Sequence, residues 1–411
     1  MPFELTAKTE AGARLVALAE ELAEEVATRA AEHDRDGSYP FESFAAVKRS
    51  GYFTAPIPEQ LGGLGVTSSH DVLVASTRLA RGDASLTLGV NMHFAYLQNV
   101  VRRWQAAVSS GSERRLAALE TSLRQIAGEG IVFASAVSET GQDLTRPATK
   151  ARQSADGWVV SGRKVFSTMS PAADVLYTAV TFAAEDGSER YGYAMIPRNT
   201  PGVVVHDDWD ALGMRASGSH TVSFEDVQLP ATALRGGFAV GDSTAYIQRN
   251  VDAGLFHAAA SLGVAEGADA YITRKLAERR FAADARTRMQ AAENVVDLAA
   301  CRAVLSRAAS LIDDHFAAHP SPNGSAQEVV RLFAEAQAAK VFIGEAAVRI
   351  VDRALSLSGG AGYLNGNPLA RAYRDVRAGA FMHPLGANRA YELLGQLALG
   401  RQPSLHSRED E

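Results

Sequence analysis

Apolar residues recur at the helical spacing of three to four positions in the first part of the chain. Between residues 10 and 33 these apolar positions are Leu15, Leu18, Ala19, Leu22 and Val26, with glutamates on the opposite face. This period predicts an amphipathic helix. The long segment Val72–Trp104 also has a helical pattern, which is interrupted near Gly82 and Asp83. The N-terminal part of the chain is therefore expected to be helical.

The spacing changes to alternation after about residue 128. Asp156-Gly157 lies between two alternating stretches, Thr149–Gln153 and Trp158–Ser161, and Asp186-Gly187 lies between two more. Asp-Gly is typical of two-residue hairpin turns, because such turns need positive φ angles at both central positions. Several short strands at this spacing predict a small β-barrel or sandwich in the middle of the chain.

The helical period returns near Tyr246 and continues almost to the end of the sequence. Residues 290–316 and 329–357 predict two long helices. Long helices of this kind need helical partners, which favours a four-helix bundle. We therefore predict an α+β fold that is mainly α. Its parts are an N-terminal helical domain at 1–128, a middle β-barrel domain at 129–235, a C-terminal four-helix bundle at 236–400 and a polar tail at 401–411.

Composition narrows the functional classes. The 411 residues carry a formal net charge of −6 and are 46 % hydrophobic, which excludes a disordered chain. No apolar window is long enough for a membrane span, and a pI near 6.0 provides no basic surface for nucleic acid. Cys301 is the one cysteine, so an intrachain disulfide and a cysteine zinc site are excluded. No signal peptide is visible, and a reducing cytoplasm is the expected location.

The motifs of several common enzyme classes are missing. The glycines at 359–362 do not form the Rossmann pattern, and neither a P-loop nor a G-x-S-x-G motif occurs. His315 and His319 stand four residues apart without the glutamate of a zinc protease motif. A solvated helix end explains them better than a metal site, so no metal is predicted.

Four short motifs carry a more specific signal through their order along the chain. They are Val137-Ser138-Glu139-Thr140-Gly141-Gln142-Asp143; the segment D-G-W-V-V-S-G-R-K-V-F-S-T at 156–168; Leu212–Ser217 with Phe224–Pro230; and Gly359–Tyr363 with Arg374-Asp375. Through these motifs nearly the whole chain resembles the acyl-CoA dehydrogenase superfamily of flavoproteins. The resemblance implies a helical domain, a β-barrel and a four-helix bundle, assembled as a homodimer or homotetramer.

The resemblance also implies which residues hold the flavin. Phe166, Ser167 and Thr168 match the family segment that places an aromatic ring beside the isoalloxazine and a threonine near N5 and O4. Val137 and Ser138 match the segment that reaches the edge of the ring. An ordinary strand is the alternative for these residues, and the resemblance favours the flavin site.

A second set of residues matches the family's contacts with the rest of the cofactor. Arg279 falls where an arginine of a neighbouring subunit meets the pyrophosphate, a role that suits a guanidinium. Gly359 and Gly360 would let the backbone approach the same cofactor closely. The family therefore implies FAD. Ser356 stands where a glutamine is common, which weakens the expected hold on the adenosine half and leaves FMN as an alternative.

The family's catalytic base is missing from both of its usual positions. Acyl-CoA dehydrogenases remove an α-proton with a glutamate eight residues after the Arg-Asp pair, and here that residue is His383. The alternative position of some members is Ala253, with Asp252 beside it. A buried carboxylate suits proton abstraction, whereas a histidine can also donate a hydrogen bond to a peroxyflavin oxygen.

This departure favours a branch of the same fold, the flavin-dependent monooxygenases, which include aromatic hydroxylases and amino-sugar N-oxygenases. Members take reduced flavin from a separate flavin reductase, react with O2 through a C4a-hydroperoxyflavin, and hydroxylate an amine or aromatic small molecule. His383 matches the histidine that the C-terminal domain of this branch places near the flavin. His93 is a second catalytic candidate, although an ordinary core histidine explains its apolar surroundings equally well.

Two other functions stay open. One is an acyl-CoA dehydrogenase that forms an α,β-double bond, uses His383 or Asp252 as an atypical base, and passes electrons to an electron-transfer flavoprotein. The other is a non-catalytic member that binds flavin or an acyl chain. The flavin-facing motifs are present, which favours an enzyme over the non-catalytic alternative.

Overall fold

The computed structural model describes residues 4–141, 143–278, 284–319, 324–401 and residue 405. The first part of the chain forms the helices α1 (Glu10–Asp36), α2 (Phe41–Arg49), α3 (Ser69–Gly82), α4 (Ala84–Ser110) and α5 (Glu113–Glu129). The break predicted near Gly82 is a one-residue junction, because Asp83 ends α3 and its side chain caps α4. Gly82 is also a close contact with α1, since a Cβ there would lie 2.2 Å from the Ala23 carbonyl oxygen.

The middle of the chain forms one sheet. Its strands are β1 (Phe133–Ala136), β2 (Lys150–Ser154), β3 (Gly157–Ser167), β4 (Val175–Ala183), β5 (Glu189–Pro197), β6 (Val203–Val205), β7 (His220–Pro230) and β8 (Leu234–Ala239). The strand order is β6-β7-β3-β2-β4-β5-β8, and β1 pairs with β4 in parallel. The end strands of this order, β6 and β8, are not paired with each other in the described sheet.

The β2–β3 hairpin differs by one residue from its prediction. Ser154 pairs with Gly157, so the turn consists of Ala155 and Asp156. Gly157 is instead the first residue of β3, with a φ of +142°. A Cβ at this position would lie 2.2 Å from the Leu229 carbonyl oxygen of β7. The glycine is therefore required by the close neighbouring strand and not by the turn.

The last part of the chain is helical again. It contains α6 (Ser243–Arg249), α7 (Ala253–Ala277), α8 (Ala285–Ala318), α9 (Ala326–Ser358), α10 (Pro368–Asp375) and α11 (Ala387–Ala398). Helix α7 packs against α8 and α9 and also against α3 of the first part. The N-terminal and C-terminal helices consequently share one hydrophobic core, while the sheet has a core of its own. No helix in the described ranges is long and apolar enough to cross a membrane.

Candidate active site

A cavity of about 780 Å³ lies where the sheet meets the helices. Its walls come from four separate parts of the sequence: α4, the sheet with its loops, the α6–α7 region, and the segment from Arg374 to His383. Half of the ten predicted site residues line this cavity, namely Val137, Ser138, Phe166, Thr168 and His383. The structure thus brings together residues that lie as much as 246 positions apart in the sequence.

The end of β3 presents two of these residues to the cavity. Phe166 has a φ of +55° and is 62 % exposed, while its ring meets the edge of Trp209. Positive φ is uncommon outside glycine, and here it occurs where the β3–β7 pairing shifts register. Thr168 shares a hydrogen bond of 2.9 Å between its hydroxyl and that of Ser219. Ser167 is buried between them and does not line the cavity.

A buried ion pair holds the first two motifs together. Glu139 Oε1 accepts hydrogen bonds from Lys164 Nζ and from the Thr149 hydroxyl, both at 2.6 Å. Beside this pair, the Val165 N–H donates to the Ser138 carbonyl oxygen at 2.9 Å. Burial lowers the pKa of Lys164 to about 8, although Glu139 opposes the shift. The pair explains why a glutamate stands in the first motif and a lysine in the second, and it anchors Ser138 beside β3.

The third and fourth motifs also meet in space. The Met214 N–H donates to Asp375 Oδ1 at 2.6 Å, and burial raises the pKa of Asp375 to about 7. A Cβ at Gly213 would lie 2.2 Å from the Arg374 carbonyl oxygen. Arg374 is held in turn by Asp34 of α1. These contacts fix the loop around Met214 and the α10 end as one wall of the cavity.

His383 lies on the helical wall. Its Nε2 atom is 3.2 Å from the Tyr246 hydroxyl and 3.4 Å from Asn250 Oδ1. Burial and, to a smaller extent, the Lys340 cation lower the pKa of His383 to about 3, so the imidazole is neutral near pH 7. Lys340 Nζ donates to the carbonyl oxygens of Met382 and Leu385, the second at 2.6 Å. Lys340 thereby supports the backbone on both sides of His383.

His93 has the contacts of a core histidine. Its Nε2 is 2.9 Å from the Phe53 carbonyl oxygen, and its Nδ1 accepts a hydrogen bond of 3.1 Å from the Phe133 N–H. The side chain is fully buried and does not line the cavity, and burial lowers its pKa to about 4. Both ring nitrogens are used to connect α4 with the short turn at Tyr52–Thr54 and with β1. This geometry favours the structural interpretation of His93 over the catalytic one.

Two of the three residues expected to meet the outer part of a cofactor, Gly359 and Gly360, do not line the cavity. Gly359 and Gly360 form a short turn after α9, are exposed, and would have no atom within 4 Å of an added Cβ. Arg279 lies outside the described residues. Gly359 and Gly360 therefore have no contact with the cavity in a single chain.

Sequence reasoning did not indicate that a set of arginines lines the cavity. They are Arg103, Arg235, Arg249, Arg374 and Arg377, and no described aspartate or glutamate lines the cavity. The Arg249 guanidinium lies 4.0 Å from the centre of the Tyr193 ring and donates to the Tyr177 hydroxyl. Burial lowers the pKa of Arg103, and the cations of Arg235 and Arg249 add to that effect. Arg374 belongs to the fourth motif, but Arg103, Arg235 and Arg249 lie in separate parts of the sequence, and no spacing pattern could have indicated that they meet.

The alternative carboxylate base is not available to the cavity. Asp252 is 1 % exposed, and its Oδ2 accepts a hydrogen bond of 2.5 Å from Arg102. Ala253 lines the cavity, but Asp252 does not. The ion pair with Arg102 instead joins α4 to the start of α7.

Comparison with known proteins covers nearly all of the chain. Residues 9–105 match the acyl-CoA dehydrogenase N-terminal domain, residues 133–227 its middle domain and residues 236–401 its C-terminal domain. The chain is 33 % identical to the amino sugar nitrososynthase RubN8 of Streptomyces rubradiris, over 96 % of this chain and 92 % of that protein. It is 34 % identical to the amino sugar nitrososynthase DnmZ of Streptomyces peucetius, over 96 % and 95 %.

A solved structure of similar sequence also has the same architecture. KijD3, in complex with FMN and dTDP-3-amino-2,3,6-trideoxy-4-keto-3-methyl-D-glucose, is 32 % identical and superposes with a TM-score of 0.88. The alignment covers 97 % of this chain and 96 % of KijD3. The alignment therefore includes the N-terminal helices, the sheet and the C-terminal helices, which together form the cavity walls.

Proposed function

This chain belongs to the acyl-CoA dehydrogenase family, and we propose that it is a flavin-dependent monooxygenase that oxygenates the amino group of a phosphate-bearing small molecule. The observation that carries the proposal is the charge of the cavity, which in the described residues has arginines and neutral histidines and no carboxylate. Family members that remove an α-proton need a carboxylate beside the substrate, and both usual positions lack one here. The relatives named nitrososynthases support the choice of an oxygenase.

The cavity residues suit a flavin. Phe166 offers an exposed aromatic face, Thr168 and Ser138 offer hydroxyl groups, and Arg377 offers a cation without an ion pair in the described residues. When bound and reduced, a flavin supplies the activation of O2 from which one oxygen atom is transferred. The other oxygen atom leaves as water and needs protons. His383 keeps a neutral imidazole, whose N–H can donate a hydrogen bond to an oxygen at the cavity wall.

We propose FMN as the flavin in place of the FAD that the family implies. KijD3 was solved with FMN, and Ser356 replaces the glutamine expected beside an adenosine. In this chain Gly359 and Gly360 are exposed and make no contact with the cavity. The dissociation constants of FMN and FAD, measured on the same preparation, test this choice. FAD binding more tightly than FMN would overturn it.

The arginines indicate the substrate class. Arg103, Arg235 and Arg249 lie on three different elements and influence one another electrostatically, and guanidinium groups suit the oxygens of a diphosphate. KijD3 was solved with a nucleotide-linked amino sugar, and the two curated relatives are named for amino sugars. We therefore propose a nucleoside diphosphate amino sugar as the substrate and its amine as the group that is oxidised.

We also propose that the working enzyme is a homodimer or homotetramer supplied by a separate flavin reductase. Helix α8 exposes Met289, Val295 and Val296, and the turn after α9 exposes Tyr363 and Leu364. Apolar side chains exposed in groups mark surfaces that a partner covers. The family resemblance favours a second copy of this chain as the partner that covers this surface. Light scattering of the flavin-loaded protein tests this assembly, and a monomer at micromolar concentration would contradict it.

The experiment that tests the function uses the sugar nucleotide found with KijD3. The protein is supplied with FMN, NADH, a flavin reductase and isotopically labelled O2, and the product is analysed by mass spectrometry. We expect labelled oxygen in the sugar product, and its absence from a reaction with the His383→Ala variant. An unlabelled, unchanged sugar, together with bleaching of the oxidised flavin by acyl-CoA thioesters, would overturn the proposal in favour of the dehydrogenase.

A further inference from the structure

One histidine of the cavity has no role in the structure or in the mechanism described so far. His257 lies on the second turn of α7 and lines the cavity. Its side chain is buried, with 4 % of its surface exposed. Within the described residues, neither of its ring nitrogens has a hydrogen-bond partner. A buried polar group without a partner costs free energy, so such a group in a native protein requires an explanation.

In the other buried histidines of the helical core, both ring nitrogens have hydrogen-bond partners. His93 uses both ring nitrogens on backbone groups. His70 places Nδ1 at 3.0 Å from Asp71 and Nε2 at 3.0 Å from the Ser306 hydroxyl. Neither of these two histidines lines the cavity. Of these three buried histidines, only His257 lines the cavity, and only His257 has both ring nitrogens without a partner among the described residues.

His257 is not placed to form a salt bridge with a carboxylate. Burial lowers its pKa well below the ordinary value, and the cations of Lys340 and His383, where protonated, lower it further. No carboxylate is among these influences. The imidazole is therefore neutral, and a neutral imidazole has one donor and one acceptor. It can offer its lone pair to an N–H group or its proton to an oxygen.

The helix packing keeps this region polar. Gly254 lies one turn before His257, and a Cβ there would lie 2.9 Å from Gln337 Nε2 and 3.3 Å from Lys340 Cδ. Glycine at 254 thus makes room for two long polar side chains from α9. Gln337 is fully buried, and its amide oxygen and nitrogen also lack partners among the described residues. Unlike His257, it does not line the cavity.

We propose that His257 contacts the substrate, and that its imidazole accepts a hydrogen bond from the amino group that is oxidised. The proposal rests on the proposed function, because it assigns a partner to that amine. An amine must be uncharged to be oxidised at nitrogen, since an ammonium has no lone pair. The Lys340 cation near His257 disfavours an ammonium, and no carboxylate is among the charges that act on His257, so this position favours the uncharged amine.

The test compares two ligands on the oxidised, FMN-loaded protein. The first is dTDP-3-amino-2,3,6-trideoxy-4-keto-3-methyl-D-glucose, and the second is dTDP, which lacks the amino sugar. For the His257→Leu variant we expect binding of dTDP as in the wild type and binding of the amino sugar weaker by about 10- to 100-fold. In turnover, the same variant should release more hydrogen peroxide for each reduced FMN consumed, because a misplaced amine intercepts less of the activated oxygen.

A matched control separates this role from general disruption of the polar region. Gln337 is equally buried and equally without partners but is not at the cavity surface, so Gln337→Leu should change both affinities equally or not at all. His257→Asn keeps an acceptor of smaller size and should recover part of the amino sugar affinity. Equal losses for both ligands in His257→Leu, or no loss for either, would overturn the inference.

The failures of the two proposals are distinguishable. If the wild type oxygenates the sugar and His257→Leu keeps its affinity and its coupling, the inference about His257 fails and the proposed function stands. If the wild type neither binds nor oxygenates the amino sugar, the proposed substrate fails, and the role of His257 fails with it.

Discussion

Arginines occur in two regions of this protein with opposite surroundings. In the helical core, Glu266 of α7 forms ion pairs with three of them. The nitrogen–oxygen distances are 2.8 Å to Arg81, 2.7 Å to Arg302 and 3.5 Å to Arg78. Arg78 and Arg81 are further paired with Glu4. Every cation of this network has a carboxylate within the chain. In the cavity, by contrast, Arg103, Arg235 and Arg377 have no ion pair among the described residues.

The difference in pairing indicates a structural role for the arginines of the core and a binding role for those of the cavity. Charges that are removed from water are tolerated in a core when they are paired and hydrogen-bonded, and removing one partner leaves an uncompensated charge. Cations that gather without carboxylates repel one another and weaken the fold locally. Such an arrangement is explained by an anionic ligand that completes it. The charges of the core network are therefore balanced within the chain, whereas the cavity arginines are suited to binding an anion.

The largest effect is expected from Glu266→Gln. This change keeps the shape of the side chain and removes the negative charge that three arginines share, so the free energy of unfolding should fall by about 3–5 kcal/mol. Urea denaturation measures this value. The control is Glu335→Gln, whose exposed pair with Arg307 should be worth about 0–1 kcal/mol. Equal effects for the two variants would remove the distinction between core and surface pairs.

The second prediction concerns pH and the core histidine His93. Its pKa in the folded protein is about 4, below the ordinary value of about 6.5, so the unfolded state takes up the proton first. Stability is therefore lost as the pH falls from about 6.5 to 4, and His93 contributes about 3 kcal/mol of that loss. His93→Gln removes this contribution. The free energies of unfolding of both proteins, measured across this window, should converge as the pH falls, and parallel curves would contradict the assignment.

Lys340 is intermediate between these two kinds of cation. It is hydrogen-bonded, like the core arginines, but its partners are backbone carbonyl oxygens and not carboxylates. Lys340→Met should lower the free energy of unfolding by about 1–3 kcal/mol, since those carbonyls lose their donor. Its pKa in the folded protein is about 7, so the unfolded state keeps the proton from there to about 10.5. Wild-type stability should gain from this group as the pH rises through that window, and the variant should lack that gain.

Lys340→Met also tests how His383 is positioned. Displacement of the segment around His383 should reduce product formation by as much as about 100-fold, while the affinity for FMN remains that of the wild type. Product formation at the wild-type rate would show that the carbonyl contacts of Lys340 do not position this histidine.

The smallest effect on stability is expected from the cavity itself. Arg235→Ala should change the free energy of unfolding by less than about 0.5 kcal/mol, because the side chain is exposed and has no ion pair in the described chain. It should nevertheless weaken dTDP binding by about 10- to 100-fold, as the loss of a charge-assisted hydrogen bond does. Arg14→Ala, which removes an exposed arginine paired with Glu59, is the control and should leave dTDP binding unchanged. A large loss of stability in Arg235→Ala would break the comparison.

Much of the fold was predictable because its signals are local. The change from helical spacing to alternation and back identified the three regions, and the motif order identified the family, which the domain matches confirm. The hairpin was also predicted, but its turn was misplaced by one residue. Gly157 is a glycine because β7 passes close to it, and a contact with Leu229, 72 positions away, has no local signature.

The site was predictable only where the motifs include it. Phe166 and Thr168 were predicted from the second motif and His383 from its distance to the Arg-Asp pair, and all three line the cavity. Arg103, Arg249 and His257 belong to no motif and could not be distinguished from ordinary helical residues. His93 and His257 are equally apolar in their sequence surroundings, yet the first is satisfied by backbone groups and the second faces the cavity.

The sequence by itself therefore determined the secondary structure, the family and the absence of a glutamate at both base positions. Each of these follows from residues that are close together in the sequence. Only the tertiary structure decided which polar side chains are paired. Pairing depends on which helices and strands come together, as Glu266 meets Arg81 and Arg302 while Arg103 meets Arg235 and Arg249. The electrostatic character of the core and of the cavity is a property of that packing, because opposite charges attract and like charges repel only at the distances that the fold creates.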